Sequence, residues 1–343
     1  MPVKDKWFSS AMACVGAVVG AGFASGREIV SFFTCYGNRA WWLILFASTV
    51  MAVLCALCMR VTACGKSRGQ WHRMVNEAHP LLRTLSHLCT LALMMVTGEA
   101  MIAAGGHMLA LLWPMHHARP IGAACTMVLA WVLGRRSLRP MSWLSGMLII
   151  LFLLMMGAAF AFLPRPQGNV MVSDSVQTET GFLRAAAYAA MNLTLALGVI
   201  CQCGVSGTIM RVSSCFGVMI ALLLLSGHLL YSLHPECAGA EFPVVRLMAG
   251  FGRAGYVASA FMMYLSVLTT LTAVLYAIRG SVEHYVRSPW AGTAIALGIP
   301  SAVSALGFGQ IVDTLYTPAG LLCILLVFLP LACDHLSRKQ TDT

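Results

Sequence analysis

Apolar stretches of about 20 residues, the length that crosses a bilayer at about 1.5 Å per residue, recur along the whole of this 343-residue chain. In lipid every backbone polar group has to be satisfied within the chain, and a continuous apolar run satisfies it as a helix. Ten candidate spans follow: Trp7 to Phe33, Ala40 to Arg60, Leu85 to Trp113, Ile121 to Leu133, Met141 to Leu163, Phe182 to Gly204, Val212 to Leu233, Gly255 to Val286, Trp290 to Phe308 and Leu315 to Cys333. The fourth is short for a crossing. No polar block between them is long enough to fold alone, so the chain reads as one all-α polytopic membrane domain.

Composition agrees: 59% of residues are hydrophobic and 10% charged, against about 25% charged in soluble domains. A formal charge of +10 would suit a nucleic-acid partner if it were clustered. Instead, with the amino terminus inside, fifteen of the 22 basic residues fall on the inner side and six on the outer, with Arg27 inside a span. That is the bias of the positive-inside rule, and it expects both termini in the cytoplasm and no nucleic acid. "MPVKDKWFSS" leads into a span long enough to be a retained helix rather than a signal peptide. Most of the 13 cysteines lie in apolar runs and read as small hydrophobes rather than a disulfide framework. The sequence carries no HExxH, no GxSxG and no paired intramembrane aspartates, so no enzyme and no bound cofactor is expected. Oligomeric state leaves no signature.

The two halves repeat one order of features. In each, a span rich in small and polar residues leads, a longer polar connection precedes an unusually long third span (Leu85 to Trp113, Gly255 to Val286), and a short fourth span follows. Five is odd, so the second half enters from the opposite side: an inverted repeat, as in alternating-access transporters. Residues 1–164 are the first repeat, 165–181 an extracytoplasmic linker, 182–335 the second repeat and 336–343 a cytoplasmic tail.

The first span, "GAVVGAGFASGREIVSFF", is the least ordinary. Gly16/Gly20 and Gly22/Gly26 are small-xxx-small pairs that let a neighbouring backbone approach. They also weaken the helix, at about 1 kcal/mol per glycine relative to alanine, and favour a break near Val19 to Gly22. A broken helix at mid-membrane is tolerated where it lines a cavity, and there its free amides and carbonyls become ligands. Arg27 and Glu28 need cavity water or partners on other helices; for Arg27, snorkelling to outer headgroups is the other reading. Glu28 should stand about 9 Å outward of Gly22, in an outer vestibule.

"VGAGFASGREIVSFFTCYG", with "AAYAAMNLTLA", "EFPVV" and "YLSVLTTLTAVLYAI", resembles the YkvI-like family of bacterial membrane proteins, itself similar to the amino acid-polyamine-organocation transporters of LeuT-type five-plus-five fold. The resemblance covers essentially the whole chain and implies discontinuous helices one and six. It also implies a sodium site between the helix-one break and helix eight: carbonyls of Gly16, Val19 and Ser266, hydroxyls of Thr269 and Thr270. Back-bonding to the preceding turn is the other fate open to these threonines and to Thr272. The segment Phe23-Ala24-Ser25-Gly26 departs from the amino acid-binding signature of neurotransmitter-type symporters, and the fifth span contains no lysine to stand in for sodium.

The solute is expected at the break, on Gly20, Ala21, Gly22 and Phe23, with Ser25 and Glu28 beside it. Facing it on the sixth span, Tyr188, Asn192 and Thr194 bring hydroxyl and amide groups suited to recognition or to an interhelical clamp. Glu99, mid-span in the third, reads as a proton or cation carrier coupling transport, or as a structural partner for a helix hydroxyl. His107 reads as a packed or interfacial histidine, and His107 with His228 makes no haem-ligating set. Cys201 and Cys203 with Cys55, Cys58 and 22 methionines raise soft-metal transport, but i,i+2 cysteines face different directions on a helix. The whole reads as a secondary transporter that couples uptake of a small polar organic solute, such as an amino acid or related compound, to a cation, with sodium favoured; a non-transporting receptor or scaffold on the same fold and proton-coupled or soft-metal transport are the alternatives.

Overall fold

The computed structural model describes residues 6–64, 80–134, 139–164, 178–203, 207–282 and 307–333. Among them every regular element is helical: α1 (Lys6–Val18), α2 (Ala21–Ser25), α3 (Arg27–Phe32), α4 (Ala40–Cys64), α5 (Pro80–Leu112), α6 (Ala118–Gly134), α7 (Arg139–Phe162), α8 (Thr178–Ile200), α9 (Ile209–Leu233), α10 (Pro243–Met248), α11 (Gly252–Val282), α12 (Phe308–Thr314) and α13 (Tyr316–Cys323). Among the described residues six helical segments are long and apolar enough to cross a membrane. The predicted ninth span, the 165–177 part of the linker and the tail lie outside the described residues.

The first eight predicted spans each coincide with a helix or, for the first, with three. The long third span of each half is present: α5 has 33 residues and α11 has 31, about 50 Å and 47 Å at the helical rise. They pack along one another, and α6 packs against both. Small residues permit this closeness. A methyl on Gly106 would press on the Arg119 carbonyl, and one on Gly122 would meet the Gly106 backbone at 3.0 Å, the close approach that drives membrane helix association. Elsewhere α4 lies between α8 and α9, where Gly217 leaves room for Ala52, and α13 lies on α8 with Gly320 against the Ala187 carbonyl. Side chains such as Trp42 (70% exposed) and Leu154 (65% exposed) face outward, as lipid-facing surface requires.

Two expectations are corrected. The sixth span is not discontinuous: α8 runs unbroken from Thr178 to Ile200. Its interior is alanine- and leucine-rich and its glycines, Gly181 and Gly198, lie towards the ends, so nothing weakens the middle. The tenth span begins at Phe308 rather than Leu315; it bends at Leu315 and loosens into a π-helical turn over Ile324–Phe328. A π turn leaves one residue outside the regular ladder and kinks a helix.

Candidate functional site

The first span breaks at Val19-Gly20, between α1 and α2. The Val19 N–H still reaches the Val15 carbonyl at 2.8 Å, but the Gly20 N–H turns back to Val18 at 2.9 Å and the Ala21 N–H leaves the chain for Thr270 Oγ at 3.1 Å. Regular bonding resumes with the Ala24 N–H on the Gly20 carbonyl at 3.0 Å. The carbonyls of Gly16, Ala17 and Val19 therefore accept no backbone hydrogen bond, which is how a mid-membrane break presents oxygens to a ligand. Gly22 is helical, so the break is shorter than Val19 to Gly22.

A second joint follows. Gly26 sits at φ +79°, ψ −11°, closing α2 and opening α3. That left-handed conformation is cheap for glycine alone, and the Tyr231 side chain occupies the place a β-carbon would take. Ser25 serves this joint: its hydroxyl donates to the Gly22 carbonyl at 2.6 Å and accepts the Arg27 N–H at 3.0 Å. It does not line the cavity described next.

A cavity of about 900 Å³ lies against the break, within the size range of small-molecule sites. Gly16 and Val19 to Phe23 form one wall; Ser266, Thr269 and Thr270 of α11 face them, and Asn192 joins from α8. The cavity continues past Met12 and Ser9 of α1 and down α11 to Ala277, the ends that the basic-residue count assigns to the inner side. The two threonines differ. Thr269 donates to the Ser266 carbonyl at 2.9 Å, the back-bonded state, as does Thr272 to Leu268 at 2.7 Å. Thr270 instead reaches across to the break, with its Oγ 3.3 Å from where a β-carbon on Gly20 would be.

Glu28 is not in an outer vestibule. It is 4% exposed, lines this same cavity, and its Oε2 makes no hydrogen bond. Being in the first turn of α3, its side chain points back along the helix axis. It fills the space over Gly22, where a methyl would overlap the carboxylate. The rise per residue had been counted along one straight helix; the joint at Gly26 invalidates that count.

Of Tyr188, Asn192 and Thr194 on α8, only Asn192 reaches the cavity, beside Leu195 and Val199 of the same helix. Its amide also donates to the Tyr188 carbonyl at 3.1 Å, and Thr194 donates to Ala190 at 2.8 Å. Tyr188 is 1% exposed, packed against Phe32 and Phe33 at ring separations of 5.2 and 5.1 Å. Glu99 is 1% exposed with neither oxygen hydrogen-bonded, and does not line the cavity. His107 has an acidic partner, Glu241.

Beyond the break, α3 is tied to neighbouring segments. Arg27 forms an ion pair with Asp313 of α12 and donates to the Ala238 and Ala240 carbonyls, each at 3.3 Å, so it finds protein partners rather than headgroups. Ser31 donates to the same carboxylate. Glu241 pairs with His107 and accepts the Gly309 N–H at 3.4 Å, and the rings of Phe242 and Phe308 stack at 5.2 Å. Burial alone would raise the Glu241 carboxyl, but His107 and the amides of Gly309 and Phe308 hold it below the usual carboxylate range. Asp313 and Glu241 were missed as functional residues. The signal was available: Arg27 required an acidic partner, and the chain has only 12 acidic residues.

No family model matches the chain. Among curated proteins it is similar to the uncharacterized membrane protein YkvI of Bacillus subtilis (strain 168), with 22% identity over 339 residues, 96% of either chain. Among solved structures it is similar to the manganese transporter of Eremococcus coleocola in complex with an aromatic bis-isothiourea substituted compound: TM-score 0.66, 14% identity, 96% of this chain and 80% of that one. It is also similar to the inward-facing conformation of Mhp1: TM-score 0.63, 12% identity, 92% and 73% of the respective chains. The chain is thus similar to YkvI over nearly its whole length and has the LeuT-type fold of the solved transporters.

Proposed function

We propose that the protein is a secondary transporter of the bacterial inner membrane that takes up a small organic solute by alternating access, coupled to a monovalent cation, with sodium favoured. The observation that carries this reading is the cavity at the helix-one break, lying below the Arg27–Asp313 tie and extending towards the amino-terminal end of α1. In it the unbonded carbonyls of Gly16 and Val19 stand opposite Thr270. Oxygen donors of this kind suit a hard cation. Thr269 and the Ser266 carbonyl, bonded to each other, have lone pairs left to complete the set. Manganese, which the neighbour from Eremococcus coleocola is named for transporting, is a poor match: among the described residues the cavity lining carries one carboxylate and no histidine.

A thermal-unfolding screen of the purified protein against small solutes, with sodium and with potassium, tests the proposal. A ligand at 100 times its dissociation constant stabilises the folded state by about 2.7 kcal/mol. A solute whose stabilisation depends on sodium supports the reading; no solute binding and no uptake into proteoliposomes under any ion overturns it. A pH-dependent, sodium-independent uptake abolished by Glu99→Gln would favour proton coupling.

A further inference from the structure

We infer that the solute is a monocationic organic amine with an apolar body, and that Glu28 is its counter-charge; this rests on the transporter reading above. The inference starts from a charge inventory. Among the described residues Glu28 is the one carboxylate in the cavity lining, and no lysine, arginine or histidine lines it. Arg27, the adjacent residue, is committed to Asp313 and to the Ala238 and Ala240 carbonyls. The buried Glu28 Oε2 has no hydrogen bond to satisfy it. A buried carboxylate in this condition carries a large desolvation cost unless something cationic meets it.

The surroundings select among cations. Tyr316 lines the cavity with Glu28 and brings a hydroxyl rather than a positive charge. Thr97 lines the same wall as Tyr316, so an ammonium on Glu28 has hydroxyl acceptors for its other protons. Behind them the walls are apolar and soft: Phe23, Phe152, Met94, Met101 and Met262. Rings and thioethers contact hydrocarbon and cationic groups favourably. A zwitterion such as an amino acid would bring a carboxylate for which, among the described residues, the lining supplies no basic side chain, leaving only the coupled cation to meet it.

Gly22 fits this assignment. A side chain there would displace the Glu28 carboxylate, so the carboxylate has its place because position 22 has no β-carbon.

Matched triplets test the inference: 2-phenylethylamine, phenylalanine and 2-phenylethanol, and the corresponding amine, amino acid and alcohol of an isopentyl chain, measured by thermal shift and by isothermal titration on the detergent-purified full chain. The amines should bind about ten- to hundredfold more tightly than the alcohols of the same shape, the margin of a charge-assisted hydrogen bond. Glu28→Gln should erase that margin, Glu28→Asp should keep part of it, and Gly22→Ala should reduce it by displacing the carboxylate. Should Glu28→Gln fail to fold, Glu28→Asp and Gly22→Ala still decide. Alcohols or amino acids that bind as well as the amines overturn the inference while leaving a transporter in place. So does a Glu28→Gln protein that keeps its preference for amines, or one that loses only its sodium dependence. If no compound binds and no solute of any charge is taken up, it is the transporter reading that falls.

Discussion

The hydroxyl of Thr270, on α11, accepts the backbone N–H of Ala21 at 3.1 Å across 249 residues of sequence. It thereby closes one of the gaps the helix break opens and ties that break to the second half of the chain. Thr269, its neighbour, is spent on the Ser266 carbonyl of its own helix. Adjacent threonines thus hold different offices.

Thr270→Val should leave a buried N–H without an acceptor, a loss of about 1 to 3 kcal/mol in unfolding free energy. Thr269→Val removes only a back-bond and should cost little. The dependence of solute affinity on sodium, titrated from zero, should weaken in Thr270→Val and be largely lost in Thr269→Ala/Thr270→Ala, since coupling between two ligands is reciprocal. An unchanged sodium dependence in the double variant removes the cation from this site.

Arg27→Gln and Asp313→Asn should each loosen the tie between α3 and α12. Asp313 is 37% exposed, so the pair is screened and worth about 1 kcal/mol or less. Amide hydrogen exchange across Arg27–Phe32 and Phe308–Thr314 should then rise by about fivefold at most, with α4 and α9 as unaffected references. Faster exchange confined to some other region would show that the ion pair does not hold that tie.

Glu241 makes the hold on α12 pH-dependent. Because the folded carboxylate titrates below its ordinary value of 4.5, its stabilisation is present above that value and is lost as the pH falls through the lowered one. Wild type should therefore be the more stable of wild type and Glu241→Gln at neutral pH, and their unfolding temperatures should converge as the pH falls through the lowered value. Parallel curves over the whole range would mean that His107 and Glu241 contribute no ionic stabilisation.

Gly26→Ala should destabilise by about 1 to 2 kcal/mol from left-handed backbone alone, and by more because Tyr231 stands in the way. Combining it with Tyr231→Phe, which removes the phenol oxygen nearest that methyl, should recover part of the loss. No recovery would place the whole cost in the backbone.

Much of the scaffold was legible because helix existence follows from apolar length, and the two long third spans stand out on length alone. The break at Val19-Gly20 was legible too, as two β-branched residues and a glycine in a span otherwise built to be helical. What stayed hidden was direction. Nothing in "GREIVSFF" says that Gly26 turns left-handed and swings Glu28 back over Gly22, because that conformation depends on Tyr231, 205 residues away. Likewise Asn192 and Tyr188 share a helix face in the sequence, and only packing decides that one meets the cavity while the other meets Phe32 and Phe33. The break expected in the sixth span came with the family resemblance and had no weak residue of its own to cause it.

Two joints in one span, at Val19-Gly20 and at Gly26, divide it into three short rods with different attachments: α3 to Asp313, α2 to Thr270, and α1 to the cavity's far end. A rod with a single hinge works as a seesaw, in which tilting one arm must drive the other. With a tethered middle piece, the lower rod can swing while the upper one stays bolted. The ties that hold α3 and α2 are thus made to other helices than those that line the far end of the cavity beside α1, so strain applied to one rod need not pass to the next.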